Sequence, residues 1–153
     1  MSRTSATITV PGRAVQAELV WYDPSRWASW IEGFGHLVSL DDSWPNKGAR
    51  RLWDSPPGGR GRVCERVLAY EMRTGQTLAF EDAQMEGTQR VTFEPQPDSV
   101  KITLTLDYRL KEQDFLAPFY NLFARRRHSD VLRRTLRRFA TELAAERQFG
   151  SPR

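Results

Sequence analysis

The stretch VKITLTLDYRLK, residues 100–111, alternates without a fault. Val100, Ile102, Leu104, Leu106, Tyr108 and Leu110 fall on one side, and Lys101, Thr103, Thr105, Asp107, Arg109 and Lys111 on the other. Successive strand side chains point to opposite faces, so this pattern predicts an antiparallel strand with one buried and one wet face. From residue 112 the period becomes helical and stays so to about residue 147.

The rest of the chain fits around that pair. SATITVP (5–11) alternates with Ile8 and Val10 on one side and reads as a first strand, ended by Pro11-Gly12. RAVQAELVWYD (13–23) carries Val15, Leu19 and Tyr22 at helical spacing. Asp23-Pro24 then marks a second helix start, because the Asp side chain can cap free amides and proline at the first position loses no hydrogen bond. That short helix holds Trp27 and Trp30. Strand candidates follow at 35–42, 49–54 and 62–73. A hairpin pair at 76–86 and 88–95 turns at Gly87. The order is one strand, two short helices, six strands and a long helix, an α+β layout with helices on one face of an antiparallel sheet.

The totals narrow the chemistry. The 153 residues suit one domain with a single core. Cys64 is the only cysteine, so neither an internal disulfide nor a two-thiolate metal site can form, and a buried inert thiol is expected. His36 and His128 match no metal-ligand spacing. The N-terminus lacks a long apolar run and no stretch reaches transmembrane length, so a cytoplasmic protein without cofactor or metal is expected. Residues 1–110 hold 13 basic and 14 acidic residues, whereas 111–153 hold 10 and 5. The net +4 therefore belongs to the last helix.

At about 100° per residue, Leu132, Leu136, Phe139 and Leu143 form one narrow stripe, with Arg133, Arg134, Arg137 and Arg138 opposite. The arginines therefore read as the wet back of a packed helix. Phe115, Leu116, Phe119, Tyr120 and Phe123 fall on the arginine side of the same wheel. Either the helix breaks between about 124 and 130, or its aromatic end leaves the sheet. Pro118 favours a separate short segment over DFLAPFYNLF, with Phe119 and Phe123 as lid candidates.

Three segments carry a family resemblance. AVQAELVWYDPSRWASW is similar to an amphipathic helix followed by Asp and a short helix ending in Trp. GARRLWD with RVCERVLAYEMRTGQTLAF, and QRVTFEPQPDSVKITLTLDY, look like a strand meander with Phe-x-Pro before its last strand. The chain resembles the START-like, or SRPBCC, superfamily over roughly residues 4–147, nearest its polyketide cyclase/dehydrase and lipid-transport branch. The resemblance implies a helix-grip fold, in which a curved seven-stranded antiparallel sheet surrounds a long C-terminal helix, with two short helices between strands 1 and 2. It also implies a cavity for a lipid, polyketide or similar apolar molecule, and it carries no common catalytic triad.

The inward faces of those strands supply the candidate ligand-binding residues: Trp53, Tyr70, Phe80, Phe93, Leu104 and Tyr108, with Phe119 and Phe123 at the mouth. On residues 62–73 the parity stays open, with Cys64, Arg66, Leu68, Tyr70 and Met72 on one face and Val63, Glu65, Val67, Ala69 and Glu71 on the other. Arg66, Asp82 and Tyr108 are the catalytic candidates. Arg66 and Asp82 would pair across strands or orient a ligand, and Tyr108 would donate a proton. Binding of a small apolar or amphipathic molecule is the first expectation. A cyclase, aromatase or dehydratase reaction in the same cavity is the alternative. Association of the basic helix with an anionic surface comes third; a membrane surface is not favoured and nucleic acid less so.

Overall fold

The computed structural model describes residues 1–111 and 117–149, and side chains outside 112–121 and 149. Seven strands form one antiparallel sheet: β1 (Ser2–Pro11), β2 (His36–Leu40), β3 (Arg50–Asp54), β4 (Arg62–Glu71), β5 (Gly75–Glu81), β6 (Met85–Pro95) and β7 (Ser99–Leu110). Their spatial order is β1-β7-β6-β5-β4-β3-β2. The chain thus meanders from β2 to β7, and β1 closes beside β7, pairing Ser2 with Tyr108 through Pro11 with Ser99. Helices α1 (Ala14–Trp21) and α2 (Trp27–Trp30) lie between β1 and β2, joined by a 3-10 turn at Pro24–Arg26. Asp23 starts that turn by accepting the Ser25 amide at 3.0 Å. Helix α3 (Ala117–Phe149) completes the α+β fold. Among the described residues no helix is long and apolar enough to cross a membrane.

Strand β7 obeys its alternation: Val100, Ile102, Leu104, Leu106 and Tyr108 are all buried. Leu132, Leu136, Phe139 and Leu143 of α3 bury against them, with Phe139 fully enclosed. Its ring lies 5.0 Å from both Trp21 and Trp30, edge-on to each. Edge-to-face pairs of this kind add about 0.5–1.5 kcal/mol to burial itself.

Four local expectations are corrected. Helix α3 runs unbroken from Ala117, so DFLAPFYNLF is no separate segment from that point on; its residues 114–116 lie outside the described residues. Pro118 sits in the first turn, where its missing N–H costs no helix bond. Of the aromatic end, Phe123 turns from the sheet and is 68% exposed. Helix α1 does not bury Leu19, which is 70% exposed. Its inward face is Ala14, Ala17, Glu18 and Trp21, where small alanines allow close approach. The buried Glu18 carboxylate accepts the Arg73 amide and its guanidinium, holding Arg73 at φ 64 in the β4–β5 turn.

The β5–β6 hairpin turns at 82–84, not at Gly87. Gly87 lies inside β6 opposite Tyr108, and a Cβ there would meet the Asp107 carbonyl oxygen at 1.9 Å. Its missing side chain serves close strand approach. On β4 the inward residues are Val63, Glu65 and Val67; Cys64 and Arg66 face solvent, so the thiol is not buried. A register shift between Val67 and Ala69 then changes the parity, returning Tyr70 to the inner side.

Candidate functional site

The space between the concave sheet face and α3 is not uniformly apolar. Arg51 of β3 and Glu65 of β4 are neighbours across the same strand pair, on the inward face beside Val63 and Val67. Both are buried. Arg51 Nε and Nη2 donate to the two Glu65 oxygens at 2.7 and 3.0 Å, a bidentate pair. Trp53 Nε1 donates to the same carboxylate at 2.6 Å. The guanidinium lies 4.4 Å from the Trp27 ring centre and 4.9 Å from that of Trp44. Interior charges persist only when paired and bonded in this way, and removal of one partner costs about 3–5 kcal/mol.

A second polar group lies toward the β5–β6 turn. Asp82 is fully enclosed; its Oδ1 accepts the Gln84 and Met85 amides at 2.8 and 2.9 Å, shaping the turn. Its Oδ2 accepts Arg60 Nε at 2.7 Å. Arg60 also lies over the rings of Trp53 and Phe80. From α3, His128 meets the Tyr108 ring edge-on at 4.6 Å. Burial, aided by Arg60 and Arg127, holds His128 down at about 4, with Asp82 opposing. The imidazole is therefore neutral at pH 7. Burial raises the Tyr108 phenol, whose hydroxyl has no partner among the described residues.

Near these groups is a partly enclosed cavity of about 60 Å³, room for roughly two waters. Trp21 and Trp30 contribute to its wall, as do Arg51, Trp53, Arg60 and Glu65. The sheet adds Gln76, Leu78, Gln89, Val91 and Leu104, and α3 adds Val131, Leu132 and Thr135. Gln76 donates to the Pro45 carbonyl at 3.0 Å and Thr135 accepts the Glu32 amide at 3.1 Å. Trp30 Nε1 is buried with no partner among the described residues.

Of the described residues expected from sequence, Trp53 and Leu104 line this cavity, and Tyr70, Phe80, Phe93, Tyr108 and Phe123 do not. Phe80 and Phe93 are buried in the main core, Phe93 edge-on to Trp21. Tyr70 packs against Tyr22 at 5.4 Å, beside a smaller cluster of Ala49, Val67 and Leu78. Tyr108 is buried against His128. Phe123 points to solvent and is no lid over the cavity, and the side chain of Phe119 lies outside the described residues. The Arg66–Asp82 pair does not form, because Arg66 is on the outer sheet face and Asp82 belongs to Arg60. Arg51, Glu65, Arg60 and His128 were not anticipated. Glu65 between Val63 and Val67, and Arg51 between Ala49 and Trp53, are charges on alternating apolar faces; His128 stands one turn before Leu132. Arg60, in a glycine-rich loop, gave no such signal.

The comparisons with known proteins agree with this architecture. A structure of TTHA0849 from Thermus thermophilus superposes with a TM-score of 0.75 at 14% identity, covering 94% of this chain and 98% of that one. Norcoclaurine synthase from Thalictrum flavum, in complex with dopamine and hydroxybenzaldehyde, gives 0.69 at 13% identity, over 94% and 87%. DynU16, from the dynemicin biosynthetic locus, gives 0.67 at 17% identity, with 99% of this chain matching 49% of that one. Comparison with curated protein sequences finds no match. At these identities the structural likeness establishes the helix-grip fold alone. The family model for polyketide cyclase/dehydrase and lipid transport proteins matches residues 1–144, and the chain belongs to that family.

Proposed function

We propose that the chain binds a small amphipathic molecule between the sheet and α3. The observation that carries this reading is the partly enclosed cavity, whose wall mixes Val91, Leu104 and Leu132 with Arg51, Gln89 and Thr135. Apolar walls with a few fixed polar groups are the usual make-up of a small-molecule site. An interior serving stability alone gains by closing such a space and pairing the Trp30 N–H. Family membership supports the same reading, and norcoclaurine synthase holds dopamine and hydroxybenzaldehyde on this fold.

The cavity of about 60 Å³ is smaller than a typical ligand site of roughly 300 Å³ or more. The ligand therefore enters by displacing part of the wall. On α3 that wall is Val131, Leu132 and Thr135, and the turns just before it are the part free to yield: of residues 122–127 only Ala124 is buried. A cyclase-type reaction in the same interior is the second reading. Neutral His128 against the buried Tyr108 phenol favours it, as a proton acceptor beside a donor. Arg66 and Asp82 give it no support, being exposed and ion-paired.

Native mass spectrometry of the purified protein tests the binding reading. We expect a non-covalent adduct that disappears on denaturation and is lost in Leu104→Trp, which fills the cavity. A ligand-free mass in every preparation, together with no saturable displacement of an apolar dye, would contradict it.

A further inference from the structure

Among the described residues around the cavity, one buried polar atom lacks a partner, the donor Trp30 Nε1. The Glu65 carboxylate is engaged by Arg51 twice and by Trp53 once. Glu32, also in the wall, faces outward to Arg134 and Arg138. The donors are in the opposite position. Arg51 uses Nε and Nη2 on Glu65, and no described residue accepts from Nη1. The bidentate bond to Glu65 fixes the guanidinium plane, and the Trp27 and Trp44 rings pack against it. Trp27, Trp44 and Trp53 all place their indole N–H on an oxygen. Trp30 is 2% exposed and its N–H does not. An unpaired buried donor costs about 1–3 kcal/mol.

Resting on the binding reading above, we propose that the ligand presents an acceptor oxygen, as carbonyl, carboxylate or phenolate, to Trp30 Nε1 and Arg51 Nη1. Both residues line the same cavity of about 60 Å³, and the ligand's oxygen-bearing group is placed there against both. A ligand whose head group only donates would leave the buried Trp30 N–H unpaired and add a further donor. Discrimination against it follows from the cost of those unpaired groups. A carboxylate also gains from the cationic edge of Arg51, whereas a neutral ketone gains only the hydrogen bonds.

The test is a titration of the ¹⁵N-labelled protein followed at its indole N–H resonances, with Trp30 assigned from Trp30→Phe. The probes are octanoate, 2-octanone and octylamine, which share a tail and differ in the head group. We expect octanoate and 2-octanone to move the Trp30 indole resonance to lower field, with octanoate the tighter. Trp30→Phe should weaken both about tenfold, and octylamine should leave that resonance in place. Octylamine binding as tightly as octanoate would overturn the acceptor assignment. So would binding of the oxygen ligands with the Trp30 signal unmoved, which would leave water as the partner of these donors. If none of the three binds, the binding reading itself fails, and this inference with it.

Discussion

The two halves of α3 meet the sheet in different ways. From Leu132 to Leu143 the helix buries Leu132, Leu136, Phe139 and Leu143, and its outer side is tied across the fold. Arg134 and Arg138 reach Glu32 just after α2. Glu142 and Glu146 hold Arg26 of the turn between α1 and α2. From residue 122 to 128 the helix shows Leu122 and Phe123 to solvent, and it turns inward only Ala124 and the half-buried His128, above Tyr108, Arg60 and Asp82. One half grips through apolar area. The other rests on polar groups that also have solvated alternatives. A single helix can therefore anchor the fold at one end and yield to a ligand at the other, with no hinge in its backbone.

The largest effect should come from breaking the gripping half. Phe139→Ala removes the ring between Trp21 and Trp30 and should cost about 3–5 kcal/mol in urea unfolding. A loss under 1 kcal/mol would mean that this half does not hold the helix. The pH response of the other half comes next. His128 is held near 4 in the fold against 6.5 unfolded, so it stays neutral in the native state while the unfolded chain takes up a proton. Its contribution is complete above about pH 6.5 and is lost as pH falls toward about 4. The lowered carboxylates, such as Asp54 and Asp107, titrate below this window. His128→Gln should flatten the stability profile between those limits, and an unchanged slope would place the proton uptake elsewhere.

A smaller change is expected behind the grip. Glu32→Gln weakens two partly exposed arginine contacts and should cost under about 1 kcal/mol, fading further at high salt. Smallest is Phe123→Ser, which removes no buried contact and should move stability by no more than about 0.5 kcal/mol. A cost near that of Phe139→Ala would show that the two halves grip alike.

Much of this contrast was legible in the sequence where one period ran long enough. The alternation of β7 and the leucine stripe of α3 gave the grip, and the phase mismatch at Phe123 flagged the change of character. The helix break inferred from it does not occur, because an exposed aromatic on a continuous helix resolves the same mismatch. Short elements hid their faces. α1 has eight residues, and its buried side mixes two alanines and Glu18 with Val20 and Trp21. β4 hid its parity because the register shift after Val67 puts Glu65 and Tyr70 on the same side despite their odd spacing. The Arg51–Glu65 pair becomes readable only once the β3–β4 register is known. Arg60 reaches Asp82 from a loop, which no periodicity reports.

The most direct test follows amide hydrogen exchange along α3 with and without octanoate. Residues 122–130 should exchange through a partial opening, well before 137–147, and octanoate should slow the first group several-fold while leaving the second unchanged. Exchange of both halves together at the rate of global unfolding, indifferent to octanoate, would contradict a site that opens beneath the N-terminal half.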